Sequence, residues 1–162
     1  MEYSGRYFED FTAGDVYRHE PGRTVTEADN TLFTMLTLNT NPIHFEAEYA
    51  KQTEFGQNLV NSCFTLSLVV GLSVSDLSRH VMANLGWNDI ALPRPVFIGD
   101  TIRAHSEILA TRESQSRPSV GIVEARSVGE NQRGETVVSY RRTFMVYRRG
   151  HGPQTAMAAT AP

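Results

Sequence analysis

Apolar residues in the first half of the chain recur at the spacing of α-helices. Residues 26–29 read Thr-Glu-Ala-Asp, the pattern of a capping box, in which the first and fourth side chains bind each other's backbone N–H at a helix start. The apolar residues that recur at helical spacing are Ala28, Leu32, Met35 and Leu36. We predict a helix that ends near Leu38, because Pro42 disfavours the helical conformation of the residue before it. A short second helix is predicted over residues 46–52.

The longest apolar stretch predicts a buried helix over residues 62–78. Asn61 and Ser62 can cap its start, since short polar side chains accept hydrogen bonds from the free N–H groups of a first turn. Apolar residues cover nearly its whole circumference, which predicts burial on all sides. They are Phe64, Leu66, Leu68, Val69, Val70, Leu72, Val74 and Leu77. At 1.5 Å per residue the helix is roughly 25 Å long, enough to cross a small domain.

The second half of the chain has the pattern of β-strands. Four such segments cover residues 85–92, 101–111, 120–128 and 136–147. In the second segment Ile102, Ala104, Ser106 and Ile108 share one face and alternate with charged residues. A further short strand, broken at Pro21-Gly22, is predicted over residues 16–25. The pattern favours the α+β class, with one long buried helix wrapped by a curved antiparallel sheet.

Length and composition fit one compact domain. The chain has 162 residues, of which 40% are hydrophobic and 20% charged, and a domain of this size needs no covalent staples. Cys63 is the only cysteine, which excludes intrachain disulfides and cysteine-based zinc fingers. No metal site is expected. We expect residues 1–149 to form the domain and the small, polar residues 150–162 to form a flexible tail.

Charge and hydropathy argue against several classes of partner. The 15 basic and 18 acidic residues leave a net charge of −3, which argues against general nucleic-acid binding. The most apolar stretch, residues 63–74, is shorter than the ~20 residues of a membrane span. The polar N-terminus lacks the apolar segment of a signal peptide, so we expect a cytoplasmic protein without membrane contact.

The residues with the clearest catalytic character form the loop of residues 39–44, Asn-Thr-Asn-Pro-Ile-His. Histidine is the side chain that exchanges protons most readily near neutral pH. Pro42 fixes its own φ angle, and Asn39 and Asn41 can each bind local backbone groups. The loop can therefore hold His44 in one orientation. The alternative is that the asparagines only end a helix and His44 is a half-buried histidine with a structural hydrogen bond.

Three segments carry a resemblance to a known family. They read NTNPIHFEAEYAKQTEFG, LVNSCFTLSLVVGLSVSDLS and LPRPVFIGDTIRAHSEIL, in this order. They resemble the MaoC-like dehydratase family, most closely the branch that contains mesaconyl-CoA hydratase, also called β-methylmalyl-CoA dehydratase. The resemblance covers about residues 8–147. It implies a single hot-dog domain and an (R)-specific enoyl-CoA hydratase, a lyase without metal or redox cofactor in which CoA is part of the substrate.

The resemblance assigns roles within the loop. The family reads Asp-x-Asn-Pro-(Ile/Leu/Val)-His, so His44 matches the catalytic histidine, and Asn41 and Pro42 match the loop-shaping residues. Asn39 stands at the position of the Asp, and an amide can orient water but cannot exchange its proton. We favour His44 as the main acid–base group with Asn39 orienting the water. A nearby carboxylate is the second reading, and thioester binding with little chemistry is the third. The candidate carboxylates are Asp29, Glu46 and Glu48.

The resemblance also assigns the start of the central helix to the thioester. There a backbone N–H and the helix dipole stabilise the charge that develops on the carbonyl oxygen. Ser62 matches this position, which is usually glycine, and Cys63 follows it. The alternative is that Asn61 and Ser62 only cap the helix. A Cys63–His44 nucleophilic pair is a further alternative, but a lone cysteine that opens an apolar helix is usually a small core residue.

Four arginines are candidates for binding the substrate's anionic groups. A guanidinium binds carboxylate and phosphate through two parallel hydrogen bonds. Arg23 and Arg94 are candidates for the acyl pocket of a dicarboxylic substrate, and Arg117 and Arg141 for the phosphates of CoA. Such residues also occur on ordinary solvated surfaces.

The sequence therefore predicts reversible hydration of an enoyl-CoA, with a branched or dicarboxylic acyl group within its scope. A hot-dog thioesterase would need a carboxylate near the helix start, and residues 57–75 contain no Asp or Glu. A catalytically degenerate acyl-CoA or acyl-carrier binding module is the other alternative, and Asn39 favours it. Because hot-dog sheets pair edge to edge, the resemblance implies a homodimer or a dimer of dimers, with sites at the subunit interface.

Overall fold

An antiparallel sheet of five strands forms the frame of the molecule. The computed structural model describes residues 5–153, so the predicted tail beyond residue 153 and the first four residues lie outside the described residues. The strands are Val16–Thr24 (β1), Val81–Ala91 (β2), Thr101–Glu113 (β3), Val120–Glu130 (β4) and Thr136–Tyr147 (β5). Their order is β1-β3-β4-β5-β2, so β1 and β2 are the edges. The α+β prediction is confirmed.

The helices begin where the sequence predicts them. They are Glu27–Leu36 (α1), Ala47–Ala50 (α2) and Ser62–Leu72 (α3). The capping box is present, because Thr26 N donates to Asp29 Oδ2 at 2.9 Å and Asp29 N donates to Thr26 Oγ1 at 3.3 Å. α1 ends two residues before the predicted position because Leu38 adopts a left-handed backbone, with φ of 56°. None of the helices described in residues 5–153 is long and apolar enough to cross a membrane.

α1 turns its polar side toward the protein. Asn30 and Thr34, one helical turn apart, are fully buried. The apolar residues that define its helical spacing are instead largely outside, with Leu32 and Leu36 exposed to 62% and 82%. α1 lies over the start of α3, where loop carbonyls and N–H groups lack helix partners and need polar side chains. This helix face therefore buries polar rather than apolar groups.

α3 is shorter and less buried than predicted. The α-helix ends at Leu72 and continues as one π-helical turn, Val74–Ser78. Thr65 and Val69 are buried. The exposed residues of α3 are Ser62, Cys63, Ser67 and Gly71. The prediction of burial on all sides is therefore wrong for the single chain, because one sheet covers only one side of a helix.

A glycine lets α3 approach the sheet closely. A Cβ at Gly129 of β4 would lie 2.5 Å from Val69 Cγ2, too close for any real contact. Val69 instead packs directly on β4, in a cluster that includes Val138 and Tyr140 of β5. This contact fixes the height of α3 above the sheet.

A row of buried polar groups connects the sheet to the π-helical turn after α3. Ser106 lies on the buried face of β3, as its alternation predicts. His19 Nε2 is 2.8 Å from Ser106 Oγ, and His19 Nδ1 is 2.8 Å from Asp76 Oδ2. Ser106 Oγ is in turn 2.7 Å from Ser127 Oγ. Burial lowers the pKa of His19, and the hydrogen bond and charge of Asp76 offset this only in part.

Because burial lowers the pKa of His19, we expect the protein to lose stability as the pH falls. His19 stays neutral in the folded chain, whereas in the unfolded chain it takes up a proton below its ordinary pKa of about 6.5. The contribution of His19 to the free energy of unfolding is complete above a pH of about 6.5 and declines as the pH falls toward the lowered pKa of the folded state. We expect the urea midpoint to drop between about pH 7.5 and about pH 5.5, and to drop less in His19→Gln. Equal drops in both proteins would contradict the assignment.

Candidate active site

The loop between α1 and α2 is held by its own asparagines. Asn39 Oδ1 accepts a hydrogen bond from Asn41 N at 3.1 Å, and Asn41 Oδ1 accepts one from Ile43 N at 3.2 Å. The second bond caps a short 3-10 turn, Pro42–His44. The prediction that both asparagines bind local backbone is confirmed. Asn39 Nδ2 has no acceptor within residues 5–153, so this amide group is available to a ligand.

His44 is 8% exposed and its imidazole is oriented by the backbone. Its Nδ1 is 2.8 Å from the carbonyl oxygen of Leu59. Because a carbonyl oxygen only accepts hydrogen bonds, Nδ1 carries the proton, and the lone pair of the neutral ring lies on Nε2. Nε2 is therefore the ring nitrogen that is able to accept a proton.

Asn30, whose role no sequence pattern indicates, connects this loop to α3. Its Nδ2 donates to the carbonyl oxygens of His44, at 2.8 Å, and Leu59, at 3.1 Å. Its Oδ1 accepts from Asn61 N at 2.9 Å. The sequence feature that relates to this role is the polar pair Asn30 and Thr34, four residues apart on one side of α1. From the periodicity alone, a polar side of a helix is expected to face solvent.

The start of α3 has free backbone N–H groups, that of Ser62 among them. Asn61 caps the helix, with its Oδ1 accepting from Cys63 N at 2.9 Å. The N–H of Ser62 has no acceptor in the described part of the chain, as expected for the first residue of a helix. Of the two residues assigned to the thioester, Ser62 therefore has the available donor. Cys63 is exposed rather than a core residue, which corrects that expectation.

A cavity of about 250 Å³ opens beside this helix start. Leu59, Ser62 and Thr65 line one side, and the turn of residues 92–96 lines the other. Leu59 is also the residue whose carbonyl holds His44. The residue with the free N–H, Ser62, and the residue whose carbonyl orients the imidazole, Leu59, thus both line the cavity, whereas His44 and Asn39 are not among its lining residues.

The structure places only one of the four candidate arginines at this cavity. Arg94 lines it, is half exposed, and has its Nε 3.4 Å from Glu135 Oε1. Three others lie elsewhere. Arg23 binds Asp29 at 2.6 Å, Arg117 is at the β3–β4 turn near Met82, and Arg141 binds Glu124 and Asp89 on the outer side of β5.

The three candidate carboxylates are occupied by structural contacts. Burial raises the pKa of Asp29, but hydrogen bonds from Arg23 and Thr26 outweigh this and hold the pKa below its usual value. Glu46 caps α2 through Tyr49 N, and Glu48 binds Lys51 on the surface. None of the three is among the residues that line the cavity beside α3. Within residues 5–153 no three His, Cys, Asp or Glu side chains are grouped to hold a metal ion.

Comparisons with known proteins identify the family of the chain. The mesaconyl-CoA hydratase family profile matches residues 2–159. The mesaconyl-CoA hydratase of Haloarcula marismortui is 36% identical over 146 residues, which are 90% of this chain and 41% of that protein. The structure of a MaoC-like dehydratase from Rhodospirillum rubrum has a TM-score of 0.79 at 27% identity, covering 91% of this chain and 100% of that one.

A larger protein shows the fold in duplicate. A Mycobacterium tuberculosis protein described as having a double hot-dog fold has a TM-score of 0.84 at 19% identity, covering 96% of this chain and 48% of that one. The chain likewise spans 41% to 45% of the length of curated mesaconyl-CoA hydratases and a β-methylmalyl-CoA dehydratase. The fold is the hot-dog fold, and the chain belongs to the mesaconyl-CoA hydratase family of MaoC-like proteins.

Proposed function

We propose that the site reversibly hydrates an enoyl-CoA to the β-hydroxyacyl-CoA. One observation carries the proposal: the hydrogen bond from His44 Nδ1 to the Leu59 carbonyl leaves the Nε2 lone pair to accept a proton. The names of the relatives, mesaconyl-CoA hydratase and β-methylmalyl-CoA dehydratase, support a branched or dicarboxylic acyl group. Because the substrate is a CoA thioester, we propose a cytoplasmic enzyme.

In the proposed reaction His44 acts first as base and then as acid. Its Nε2 takes a proton from water while the water oxygen bonds to the β-carbon, and the electron pair of the C=C bond moves toward the thioester carbonyl oxygen. The Ser62 N–H and the dipole of α3 stabilise the charge on that oxygen. The imidazolium then gives its proton to the α-carbon. Asn39 Nδ2 is the donor that orients the water.

The ultraviolet absorbance of the enoyl thioester tests this proposal. We expect purified protein to remove the absorbance of mesaconyl-CoA and, more slowly, of crotonyl-CoA. Free thiol is measured in the same samples with a thiol reagent. Release of free CoA would favour the thioesterase instead. Tight binding of both esters without turnover would favour an acyl-CoA binding module.

We also propose that the chain works as a homodimer paired through β2. This edge strand has free backbone groups and exposes Leu85, Trp87 and Ile90, an apolar strip that a second sheet would cover. The exposed side of α3 gives a second reason for a partner. The curated relatives are more than twice as long as this chain, so each is long enough to contain a second domain of the same size. A monomeric mass at micromolar concentration in light scattering would contradict the proposal.

Arg94 predicts selectivity for a dicarboxylic substrate. We expect Arg94→Gln to lower kcat/KM for mesaconyl-CoA about fivefold, because a half-exposed ion pair contributes up to about 1 kcal/mol. The value for crotonyl-CoA, which has no acyl carboxylate, should change less than about twofold. Arg126→Gln, on the exposed side of β4, is the matched control. Equal losses with both substrates would place Arg94 against the phosphates of CoA and contradict the prediction.

A further inference from the structure

Asn30 is a fully buried amide whose three hydrogen bonds all end on backbone atoms of the candidate active site. It is 0% exposed. Its two amide protons bind the carbonyl oxygens of His44 and Leu59, and its oxygen binds the N–H of Asn61. Because the Asn30 side chain is shielded from solvent, its amide has no water to bond in place of these backbone atoms. Asn30 thus joins α1, the His44 loop and the start of α3 at a single point.

The three bonded groups are those that set the geometry of the proposed reaction. The His44 carbonyl belongs to the residue that exchanges protons. The Leu59 carbonyl also accepts the hydrogen bond of His44 Nδ1, so Asn30 fixes the atom that orients the imidazole. Asn61 directly precedes Ser62, whose N–H faces the thioester in the proposed function. One side chain therefore determines how the base and the carbonyl-binding donor are spaced.

A second buried residue of α1 supports the same connection. Thr34 lies one turn after Asn30 and is also 0% exposed. Its carbonyl oxygen accepts from Asn39 N at 3.0 Å, and its Oγ1 lies 3.4 Å from Asn61 Nδ2. The inward side of α1 thus holds both ends of the catalytic loop as well as the cap of α3. No such bond from Asn30 reaches the sheet in the part of the chain that the structure describes.

We propose that Asn30 is a positioning residue for the hydratase reaction, one that aligns His44 Nε2 with the Ser62 N–H without touching substrate. The proposal rests on the proposed function. Displacement of a reacting group by about 1 Å can cost a hundredfold in rate, so loss of this alignment should lower kcat far more than it weakens binding.

Asn30→Ala tests the proposal against a matched control, Asn58→Ala. Asn58 also donates one hydrogen bond to the loop, from its Nδ2 to the Ile43 carbonyl at 3.2 Å, but within residues 5–153 it has no bond to α1 or Asn61. We expect Asn30→Ala to lower kcat at least tenfold, and Asn58→Ala to lower it less than about threefold. The dissociation constant of butyryl-CoA, a saturated thioester that cannot react, should change less than about threefold in both.

The unfolding midpoint separates positioning from folding. The unfolding midpoint gives the folded fraction of each variant, and kcat is expressed per folded protein. If kcat per folded protein is unchanged in Asn30→Ala, Asn30 only stabilises the fold and the proposal is wrong. Should the alanine variant fail to fold, Asn30→Ser takes its place, since its hydroxyl donates at most one hydrogen bond and introduces no charge. We expect this variant, too, to lower kcat at least tenfold.

The NMR signal of the His44 Nδ1 proton makes the test independent of turnover. We expect a slowly exchanging Nδ1–H in the wild type and in Asn58→Ala, and its loss or a large shift in the Asn30 variant. A wild type without hydratase activity but with this NMR difference would refute the proposed function and leave the positioning contact standing. An unchanged signal in the Asn30 variant would overturn the positioning role itself.

Discussion

His44→Ala is expected to lower kcat for enoyl-CoA hydration by about 10²- to 10⁴-fold, the usual contribution of one general acid–base group. In the proposed reaction the same imidazole both removes the proton of water and delivers it to the α-carbon, and the nearby carboxylates are engaged elsewhere. Alanine leaves no group to do either. The loss should therefore lie near the upper end of the range.

The fold should survive this substitution, which makes the result interpretable. The Leu59 carbonyl loses its bond from His44 but keeps the one from Asn30, so no buried acceptor is left unsatisfied. The measurement is the initial rate of absorbance loss with mesaconyl-CoA, beside circular dichroism of each protein. His151→Ala, at an exposed position, is the control. A His44→Ala variant that keeps more than a tenth of the activity would exclude His44 as the proton-transfer residue.

The sequence predicted those parts of the fold that depend on local patterns. The capping box at Thr26, the alternation of β3 and the turn-separated strands are each specified within a few residues, and the structure contains all of them. The burial of α3 was wrong because burial depends on what lies opposite a helix. In α3 the apolar circumference is covered by the sheet on one side, while Cys63 and Gly71 remain open in the single chain.

The same distinction explains which site residues were found. Asn39 and Asn41 each accept a hydrogen bond from the backbone N–H two residues later, so the loop conformation could be predicted from the local sequence. Asn30 acts on residues 14 to 31 positions away in the chain, and no periodicity reports such contacts. Arg94 could be separated from the other arginines only once the turn of residues 92–96 was placed beside α3.

Asn39→Asp is expected to lower kcat about 10- to 150-fold rather than to restore a missing carboxylate. Asn39 Oδ1 already binds Asn41 N, and a carboxylate oxygen can take over that bond, so the loop geometry should be kept. What changes is the second atom, because a free N–H donor becomes an acceptor. A donor hydrogen bond to a group that gains charge contributes about 1.5–3 kcal/mol, which corresponds to this loss.

Asn39→Ser is the matched control, because its hydroxyl keeps a hydrogen-bond donor without introducing a charge. We expect Asn39→Ser to lose less activity than Asn39→Asp. A gain of tenfold or more in Asn39→Asp would contradict this assignment. Such a gain would show that the reaction needs a carboxylate at position 39. The wild-type chain would then chiefly bind its thioester rather than hydrate it.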